Sequence, residues 1–176
     1  RDGLEASLRR TQGITVVQGH GRFVSRREVV VTGDTARAPR VFINVGGRPA
    51  IPPITGLDTV PYLTSSTIVD LDTIPEHLVV IGGSYVGLEF AQIYRRFGSA
   101  VTVIEAGPRL IGREDPDISD AVREILEAEG IKVLLSTTTT KVAGGIEVGI
   151  ESAAGPGSIT ASHLLMAVGR RPNTDD

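Results

Sequence analysis

The sequence of 176 residues predicts an α/β fold with a parallel sheet, and three observations support this prediction. Short apolar runs at 78–81, 101–104 and 131–135 are typical of buried strands. The segments between these runs have the apolar spacing of amphipathic helices. A glycine-rich turn follows the first run directly, and an acid, Glu105, ends the second. Because strands that alternate with helices pair in parallel, the runs are expected to be adjacent parallel strands of one doubly wound sheet.

The glycine-rich turn and Glu105 together are typical of a dinucleotide-binding βαβ unit of the Rossmann type. Gly82 permits the tight turn after the first strand, and Gly87 lets the helix pack closely on the sheet. The N–H groups at the helix start suit a pyrophosphate. Ser84 stands where the middle glycine of G-x-G-x-x-G is expected, and its hydroxyl can itself bind a phosphate oxygen. The predicted site consists of Gly82, Gly83, Ser84, Tyr85, Val86, Gly87 and Glu105. The competing interpretation is a βαβ unit whose glycines serve packing alone, which leaves the acid unexplained.

Two helices are predicted to cover the sheet. The first ends near Phe97, and the second begins with Asp115 as its N-cap and Pro116 in its first turn, and stops at Gly130. The large apolar residues of each helix are expected to face inward: Val86, Phe90, Ile93 and Phe97 in the first, and Ile118, Val122, Ile125 and Leu126 in the second.

The rest of the chain has a β pattern on both sides of this core. Residues 1–10 resemble the end of a helix, and meander-like strands are predicted at 14–17, 28–32 and 41–45. A proline-rich connector follows, and its stiffness suits a domain boundary. Beyond the third parallel strand we expect a small antiparallel layer and a last buried strand, at 139–143, 146–151, 158–161 and 163–168. The expected division is a flank at 1–47, a nucleotide-binding domain at 48–168 and a returning segment at 169–176.

Composition excludes several classes of function. The hydrophobic share of 40% and charged share of 22% are typical of a soluble globular protein, and the net charge of −3 provides no basic field for nucleic acid. The chain has no cysteine, so structural disulfides and thiolate metal sites are excluded, and no metal site is predicted. No apolar run approaches the roughly 20 residues that span a bilayer. We expect a cytoplasmic protein without membrane or nucleic-acid partners.

Three segments carry a resemblance to a known family. Residues 42–57, 79–92 and 168–174 resemble, in order and spacing, parts of the pyridine nucleotide-disulfide oxidoreductases that use FAD. The chain looks like the central NAD(P)-binding domain of mercuric reductase-like and dihydrolipoamide dehydrogenase-like members. The first segment resembles the passage from the flavin domain to the nicotinamide domain, and the last resembles the return. The resemblance therefore implies that the β-meander strands and the returning segment are parts of a truncated FAD domain.

The resemblance also implies roles for four residues. A tyrosine at the position of Tyr85 lies over the flavin and swings aside when nicotinamide enters, and the acid at Glu89 lies near the nicotinamide carboxamide. Val142 matches a residue near the adenine, and Gly169 matches one whose backbone approaches the cofactor. Without the resemblance, Tyr85 is more readily interpreted as a core aromatic residue and Glu89 as a solvated helix acid.

Much of the family's machinery has no counterpart in this sequence. The flavin fingerprint and the redox-active cysteine pair are absent, and His20, His77 and His163 match no catalytic position of the family. No catalytic residue is therefore assigned in this fragment beyond the nicotinamide gate Tyr85 and the nicotinamide-side acid Glu89. The isolated chain is expected to be inactive. Its expected partners are a dinucleotide and the FAD and dimerisation domains of a homodimeric parent.

The leading functional hypothesis is an NADH-binding domain of an FAD-dependent oxidoreductase, which passes a hydride from NAD(P)H to flavin and on to a disulfide or metal-ion acceptor. NADH is favoured over NADPH because Glu105 would meet the 2′-phosphate with a like charge, although Arg109 and Arg113 can soften that repulsion. FAD is expected in the parent protein alone. A binding-only NAD(H) module without redox chemistry is the alternative. A methyltransferase is a third possibility, which the predicted antiparallel layer disfavours.

Overall fold

The computed structural model describes residues 2–174, so Arg1 and the last two residues of the predicted returning segment, Asp175 and Asp176, lie outside it. The chain divides into two units, the first ending at Asn44 and the second beginning at Val45. Among the described residues, no helix is long and apolar enough to cross a membrane.

The first unit combines one helix with a three-stranded antiparallel sheet in the order β1-β2-β3. A two-residue turn of Thr32 and Gly33, both with positive φ, joins β2 to β3 and suits the twist of a hairpin. An ion pair between Arg9 and Glu5, at 2.8 Å, spans one turn of the helix. The elements are α1 (Asp2–Arg10), β1 (Gly21–Ser25), β2 (Glu28–Val31) and β3 (Asp34–Arg37).

Of the three flanking strands that were predicted, 28–32 is confirmed as β2, and the other two predictions are wrong. Residues 14–17 and 41–45 are irregular. Their apolar residues lie at the surface, and the exposed fraction of Phe42 reaches 86%. A segment with high β-propensity forms a strand only where a neighbouring strand provides hydrogen-bond partners. The neighbours of β2 are the more polar β1 and β3, and not the two predicted segments.

The second unit contains the parallel sheet and its helices. In chain order, its elements are β4 (Gly47–Pro49), β5 (Leu63–Thr64), β6 (His77–Ile81), α2 (Tyr85–Arg96), β7 (Ala100–Ile104), α3 (Pro116–Ala128), β8 (Lys132–Leu134), β9 (Thr138–Ala143), β10 (Glu147–Ser152), β11 (Gly155–Thr160), β12 (His163–Met166) and β13 (Arg170–Pro172). Two 3₁₀ turns, Leu57–Thr59 and Ile68–Asp70, precede β6.

The five-stranded sheet has the order β5-β12-β6-β7-β8, and every pairing in it is parallel. Leu78 pairs with Val101, and Ile104 pairs with Leu134. The predicted parallel α/β sheet is therefore confirmed, with the predicted strands at 78–81, 101–104 and 131–135 adjacent. The central strand β6 carries a run of fully buried residues, as expected of a strand that is covered on both faces.

Helix α2 packs on the sheet through a different face from the one predicted. Its buried residues are Gly87, Leu88, Ala91 and Tyr94. The predicted inward residues Ile93 and Phe97 are 42% and 61% exposed, and Val86 and Phe90 are half-buried. The buried face instead combines two small residues, Gly87 and Ala91, with the large Leu88 and Tyr94.

Helix α3 shows the same discrepancy. As predicted, Asp115 occupies the N-cap position and Pro116 begins the helix, although the Asp115 side chain makes no capping hydrogen bond. Leu126 is buried as predicted and Val122 is half-buried, but Ile118 and Ile125 are exposed, and Ser119 lies inward instead. Ser119 donates a hydrogen bond at 2.8 Å to the carbonyl of Leu110, which satisfies its buried hydroxyl.

The predicted antiparallel layer is confirmed as a sheet of β9, β10 and β11. Val142 and Val148 from this sheet belong to the same apolar cluster as Val79 and Met166 of the parallel sheet. The layer thus closes one face of the parallel sheet, while the helices α2 and α3 contribute residues to the other cluster.

A charged network joins the ends of the two helices at Glu129. Its carboxylate accepts hydrogen bonds from Arg96 and Gln92, both at 2.7 Å, and its backbone carbonyl accepts one from Arg95 at 2.7 Å. The hydrogen bond from Arg96 holds the pKa of the Glu129 carboxyl below its usual value, and the same pair raises the pKa of Arg96.

The Glu129 network predicts a specific pH dependence of stability. Because the folded-state pKa of Glu129 is depressed, its contribution is complete above the unfolded-state pKa and is lost as the pH falls through the folded-state pKa. Glu129→Gln should therefore lower the melting temperature at neutral pH, and the difference from the wild type should shrink as the pH falls below the usual range of a glutamate carboxyl. Glu124→Gln, on the exposed side of α3, is the matched control and should leave the pH profile unchanged. A constant difference between Glu129→Gln and the wild type down to the acid transition would contradict this assignment.

Candidate functional site

A cleft of about 740 Å³ lies where the carboxyl ends of β12, β6 and β7 meet. Parallel strands place such clefts at their carboxyl ends, where ligands of open α/β sheets bind. The lining comes from the glycine turn, from the loop after β7, from the segment after β12 and from the ends of β4 and β5. The lining residues are Pro49, Ser65, Gly82, Gly83, Ser84, Tyr85, Val86, Glu105, Gly107, Pro108, Arg109, Ile111, Gly112, Arg113, Glu114, Met166, Ala167, Val168, Gly169 and Arg170.

The protein's own packing requires glycine at two positions of the turn. Gly82 has a φ of +112°, and a Cβ atom there would lie 2.5 Å from the carbonyl oxygen of Ala167. A Cβ atom at Gly87 would lie 2.3 Å from the carbonyl oxygen of Gly82. These contacts hold the start of α2 directly against the ends of β6 and β12. The glycines alone therefore do not distinguish a ligand site from tight packing. The charged groups around them are the evidence for a ligand site.

Glu105 follows β7 directly, and two backbone amides hold its carboxylate. The N–H of Gly83 donates to one oxygen at 2.6 Å, and the N–H of Gly107 donates to the other at 2.7 Å. An ionised carboxylate has about four acceptor sites, so roughly two remain available for hydroxyl groups of a ligand. The Glu105 carboxylate is thus held in a fixed position on the cleft wall and retains acceptor capacity.

The loop from 107 to 114 forms the cleft wall beside Glu105, and sequence reasoning did not assign this wall. The N–H of Ile111 donates to the carbonyl of Gly83 at 2.8 Å, which fastens the loop to the glycine turn. Ile111 has a φ of +40°, an uncommon conformation for a β-branched residue. Arg109 and Arg113 line the cleft, and neither side chain makes an ion pair or hydrogen bond with another described residue. The cleft thus presents two arginines, without an ion-pair partner among the described residues, on the same lining as Glu105 and Glu114.

The first turn of α2 faces the same cleft. Ser84 precedes the helix in an extended conformation, and its side chain makes no capping hydrogen bond. The first i−4 hydrogen bond of the helix runs from Leu88 to Ser84. The N–H groups that precede Leu88 have no partner within the helix, and they form the positive end of the helix dipole. The exposed Ser84 hydroxyl and these amides form a donor set that suits an anion.

The remaining predicted site residues fall into two groups. Tyr85, 63% exposed, and Gly169 line the cleft. Glu89 is exposed on α2 but is not among the lining residues. Val142 is 3% exposed within the core between the two sheets, and its N–H donates to the carbonyl of Thr55 at 2.8 Å. Seven of the ten predicted residues therefore line one cleft, while Gly87 packs beneath the turn and is not part of the lining: Gly82, Gly83, Ser84, Tyr85, Val86, Glu105 and Gly169.

His77 has a structural position in the sheet. One ring nitrogen lies 2.8 Å from the carbonyl of Thr160, and the other lies 2.9 Å from the hydroxyl of Thr102. Since a carbonyl can only accept, the neutral ring carries its proton on the nitrogen that faces Thr160. His77 thus bridges strands of the parallel and antiparallel sheets, away from the cleft.

Comparison with known proteins places this fold in a family. The family model described as "Pyridine nucleotide-disulphide oxidoreductase" matches residues 2–176. The chain belongs to this family. Among curated members, the mercuric reductase of Acidithiobacillus ferrooxidans is 41% identical over 175 residues, which is 97% of this chain and 32% of that protein. The mercuric reductase of Streptomyces lividans is 43% identical over 144 residues, or 80% of this chain and 30% of that protein.

Solved structures of the family have the same architecture. The Cu(II) complex of the HOCl-induced flavoprotein disulfide reductase RclA from Escherichia coli is similar with a TM-score of 0.80 at 31% identity. That similarity covers 98% of this chain and 40% of the RclA chain. The chain therefore spans about a third of the length of the curated relatives it matches. The resemblance to mercuric reductase-like flavoproteins that the sequence indicated is confirmed.

The close contact at Gly87 gives a direct test of how α2 is seated. Gly87→Ala should lower the free energy of unfolding by about 1–3 kcal/mol, because the new methyl group meets the Gly82 carbonyl and its strain exceeds the helix-propensity gain of about 1 kcal/mol. Gly144→Ala, where the added Cβ atom meets open space, is the control and should change stability little. Urea denaturation measures both. Equal stability of the two variants would show that α2 can move away from the sheet at no cost.

Proposed function

We propose that this chain is the NADH-binding part of an FAD-dependent oxidoreductase that passes a hydride from NAD(P)H to flavin. The observation that carries the proposal is the Glu105 carboxylate, which the amides of Gly83 and Gly107 fix at the end of the second strand of the βαβ unit. In a Rossmann unit an acid at this place accepts hydrogen bonds from the adenosine ribose. Glycine packing by itself does not require an acid there.

The cleft offers complementary groups for each part of a dinucleotide. The ribose hydroxyls lie at Glu105, and the pyrophosphate lies at the start of α2, where Ser84 and the free amides supply donors. Arg109 and Arg113 add positive charge on the adjacent wall. Because β12 lies on the other side of β6 from β7, the nicotinamide half lies over the segment from Ala167 onward. The volume of about 740 Å³ falls in the range of small-molecule sites.

The redox role rests on family membership and not on the cleft alone. When bound, the nicotinamide supplies a hydride, and this chain's residues bind and orient it. Tyr85 is proposed to cover the flavin side and to move aside for nicotinamide, and its exposed position at the cleft allows that movement. Glu89, one helical turn beyond Tyr85, is proposed to face the nicotinamide carboxamide and the flavin edge, and Val142 is proposed to lie near the adenine.

The longer protein is proposed to be a cytoplasmic homodimer in which residues 1–47 and 169–176 belong to the FAD domain and residues 48–168 bind NADH. The coverage of about a third of the curated relatives supports this division, since those relatives contain further sequence beyond the matched part. The final acceptor, a disulfide or a metal ion, is proposed to react outside this chain, which has no cysteine. A binding-only NAD(H) module is the second candidate, and it is favoured by the absence of a redox-active side chain from this sequence.

Cofactor choice is predicted to depend on Glu105. The wild type should bind NADH more tightly than NADPH, because two unit charges about 4 Å apart repel by roughly 4 kcal/mol at an effective dielectric of about 20, before salt reduces that energy. Glu105→Gln keeps the shape of the side chain and removes its charge. The dissociation constant of NADPH divided by that of NADH should therefore fall about tenfold. Titration calorimetry at low ionic strength measures these constants.

Glu114→Gln is the matched control, since it removes the other acid of the cleft. It should leave the preference for NADH unchanged. Equal or tighter binding of NADPH by the wild type would defeat the role of Glu105. The same change in preference in both variants would point to the overall field of the cleft instead of a specific ribose contact.

Because flavin binding is assigned to the FAD domain and NADH binding to this chain, the chain and its full-length parent are predicted to have different absorption spectra. The 176-residue chain, purified and then mixed with FAD, should retain no stoichiometric flavin after gel filtration, while it still binds NADH. The full-length parent should be yellow. A colourless parent that binds NADH would favour the binding-only module, and an isolated chain that retains stoichiometric flavin would refute the proposed division.

A further inference from the structure

One wall of the cleft is held by a side chain to which the proposed function assigns no role. Arg170 follows β12 and begins β13, and it lines the cleft together with Ser65 and Pro49. Along the carboxyl edge of the sheet, β5 and β12 lie on one side of β6, and β7 lies on the other. Arg170 and Ser65 therefore stand at the end of the cleft that is remote from Glu105.

Arg170 connects three segments that are distant in sequence. Its guanidinium donates to the hydroxyl of Ser65 at 3.2 Å and makes a short hydrogen bond to the carbonyl of Gly47. Gly47 belongs to β4, which pairs antiparallel with β13 in a two-stranded ribbon. The N–H of Ala50 donates at 2.9 Å to the carbonyl of Gly169, which joins the ribbon to the lining segment beside Arg170. The side chain of Arg170 thus links the β4–β13 ribbon, which its own backbone pairing holds together, to the residue after β5.

We propose that Arg170 is a positioning residue for the nicotinamide half of the dinucleotide. This inference rests on the proposed function, which places the ribose at Glu105 and the pyrophosphate at the start of α2. The half that remains must then lie over the segment from Ala167 to Arg170. Backbone pairing holds that segment beside β4, and the contacts of Arg170 to Gly47 and Ser65 attach the end of β5 to the same ribbon, so the space for the ring is defined before it binds. A preformed wall removes an ordering cost from binding.

The position of Arg170 allows its effect on ligand binding to be measured apart from that of the other residues of the cleft. In the described part of the chain, the hydrogen bonds of the Arg170 side chain go to Ser65 and Gly47, and none goes to Glu105, Gly83 or the loop that carries Arg109 and Arg113. Its loss is therefore expected to weaken binding of a ligand that contains nicotinamide and to spare a ligand that ends at the second ribose. NADH and ADP-ribose form such a pair, because they share the adenosine, both riboses and the pyrophosphate.

The test is titration calorimetry of NADH and ADP-ribose with the 176-residue chain. Arg170→Ala should raise the dissociation constant of NADH about fivefold, as expected for exposed hydrogen bonds to a charged group, and should change that of ADP-ribose less than twofold. Ser65→Ala removes one of the two contacts without changing the net charge, and it should raise the NADH constant by a smaller factor. Arg171→Ala, on the same ribbon but outside the cleft lining, is the matched control and should bind both ligands as the wild type does.

Arg170→Lys separates geometry from charge, because a single ammonium group cannot reproduce the fork of a guanidinium. Arg170→Lys is expected to resemble Arg170→Ala, and full recovery of NADH affinity in Arg170→Lys would overturn the positioning role in favour of a charge effect. Equal losses for NADH and ADP-ribose would overturn it too, since they would indicate that the whole cleft is disturbed. ADP-ribose binding also reports that each variant is folded.

Two outcomes separate this inference from the proposed function. A wild type that binds neither ligand would refute both together. Unchanged NADH binding in Arg170→Ala would refute the inference alone.

Discussion

The close seating of α2 on the sheet is the constraint on which the cleft depends. Gly87 lies so near the carbonyl of Gly82 that a single methyl group does not fit between them, and Gly82 in turn lies against the backbone of Ala167. These contacts place the start of a helix over the carboxyl ends of two neighbouring parallel strands. Unpaired N–H groups and the positive dipole end are then held where a ligand of an open α/β sheet binds. At this contact the small residues Gly87 and Ala91 lie beside the buried Leu88 and Tyr94, while Ile93 and Phe97 lie on the outer side of α2.

The electrostatics of the cleft differ from those of the whole chain. The net charge of the chain is −3, yet Arg109, Arg113 and Arg170 outnumber Glu105 and Glu114 among the lining residues. Because surface fields are screened over about 10 Å at 0.1 M salt, a dinucleotide senses the local groups and not the distant acids. Among these groups, two backbone amides hold the Glu105 carboxylate in place. The loop that carries the arginines is fastened to the glycine turn at Ile111, so cations and acid are held on one rigid frame.

Sequence reasoning predicted the elements with strong local signals and failed where tertiary contacts decide. The parallel strands, the capped start of α3 and the antiparallel layer follow from apolar runs, a proline at the helix start and turn residues, all of which are local. The strands predicted at 14–17 and 41–45 failed because a strand requires a neighbour, which no local pattern provides. The inward faces of both helices were misjudged because both carry apolar residues on two sides. Seven of the predicted site residues line one cleft, but Ser65 and Arg170 are joined there by a contact across more than a hundred positions, beyond the range of any sequence periodicity.

The cleft and the acceptor chemistry are separable problems in this family. Two relatives are mercuric reductases, and a third protein of the same architecture is an HOCl-induced flavoprotein disulfide reductase, so proteins with different names share this domain. A fold that serves several reactions does not by itself specify any of them. In the function proposed above, this chain sets the affinity for the dinucleotide through Glu105, the start of α2 and the arginine-bearing walls. On that proposal, a substitution in the cleft is expected to change which nucleotide is bound and how firmly, whereas the choice of acceptor is assigned to groups, such as thiols, that this sequence does not contain.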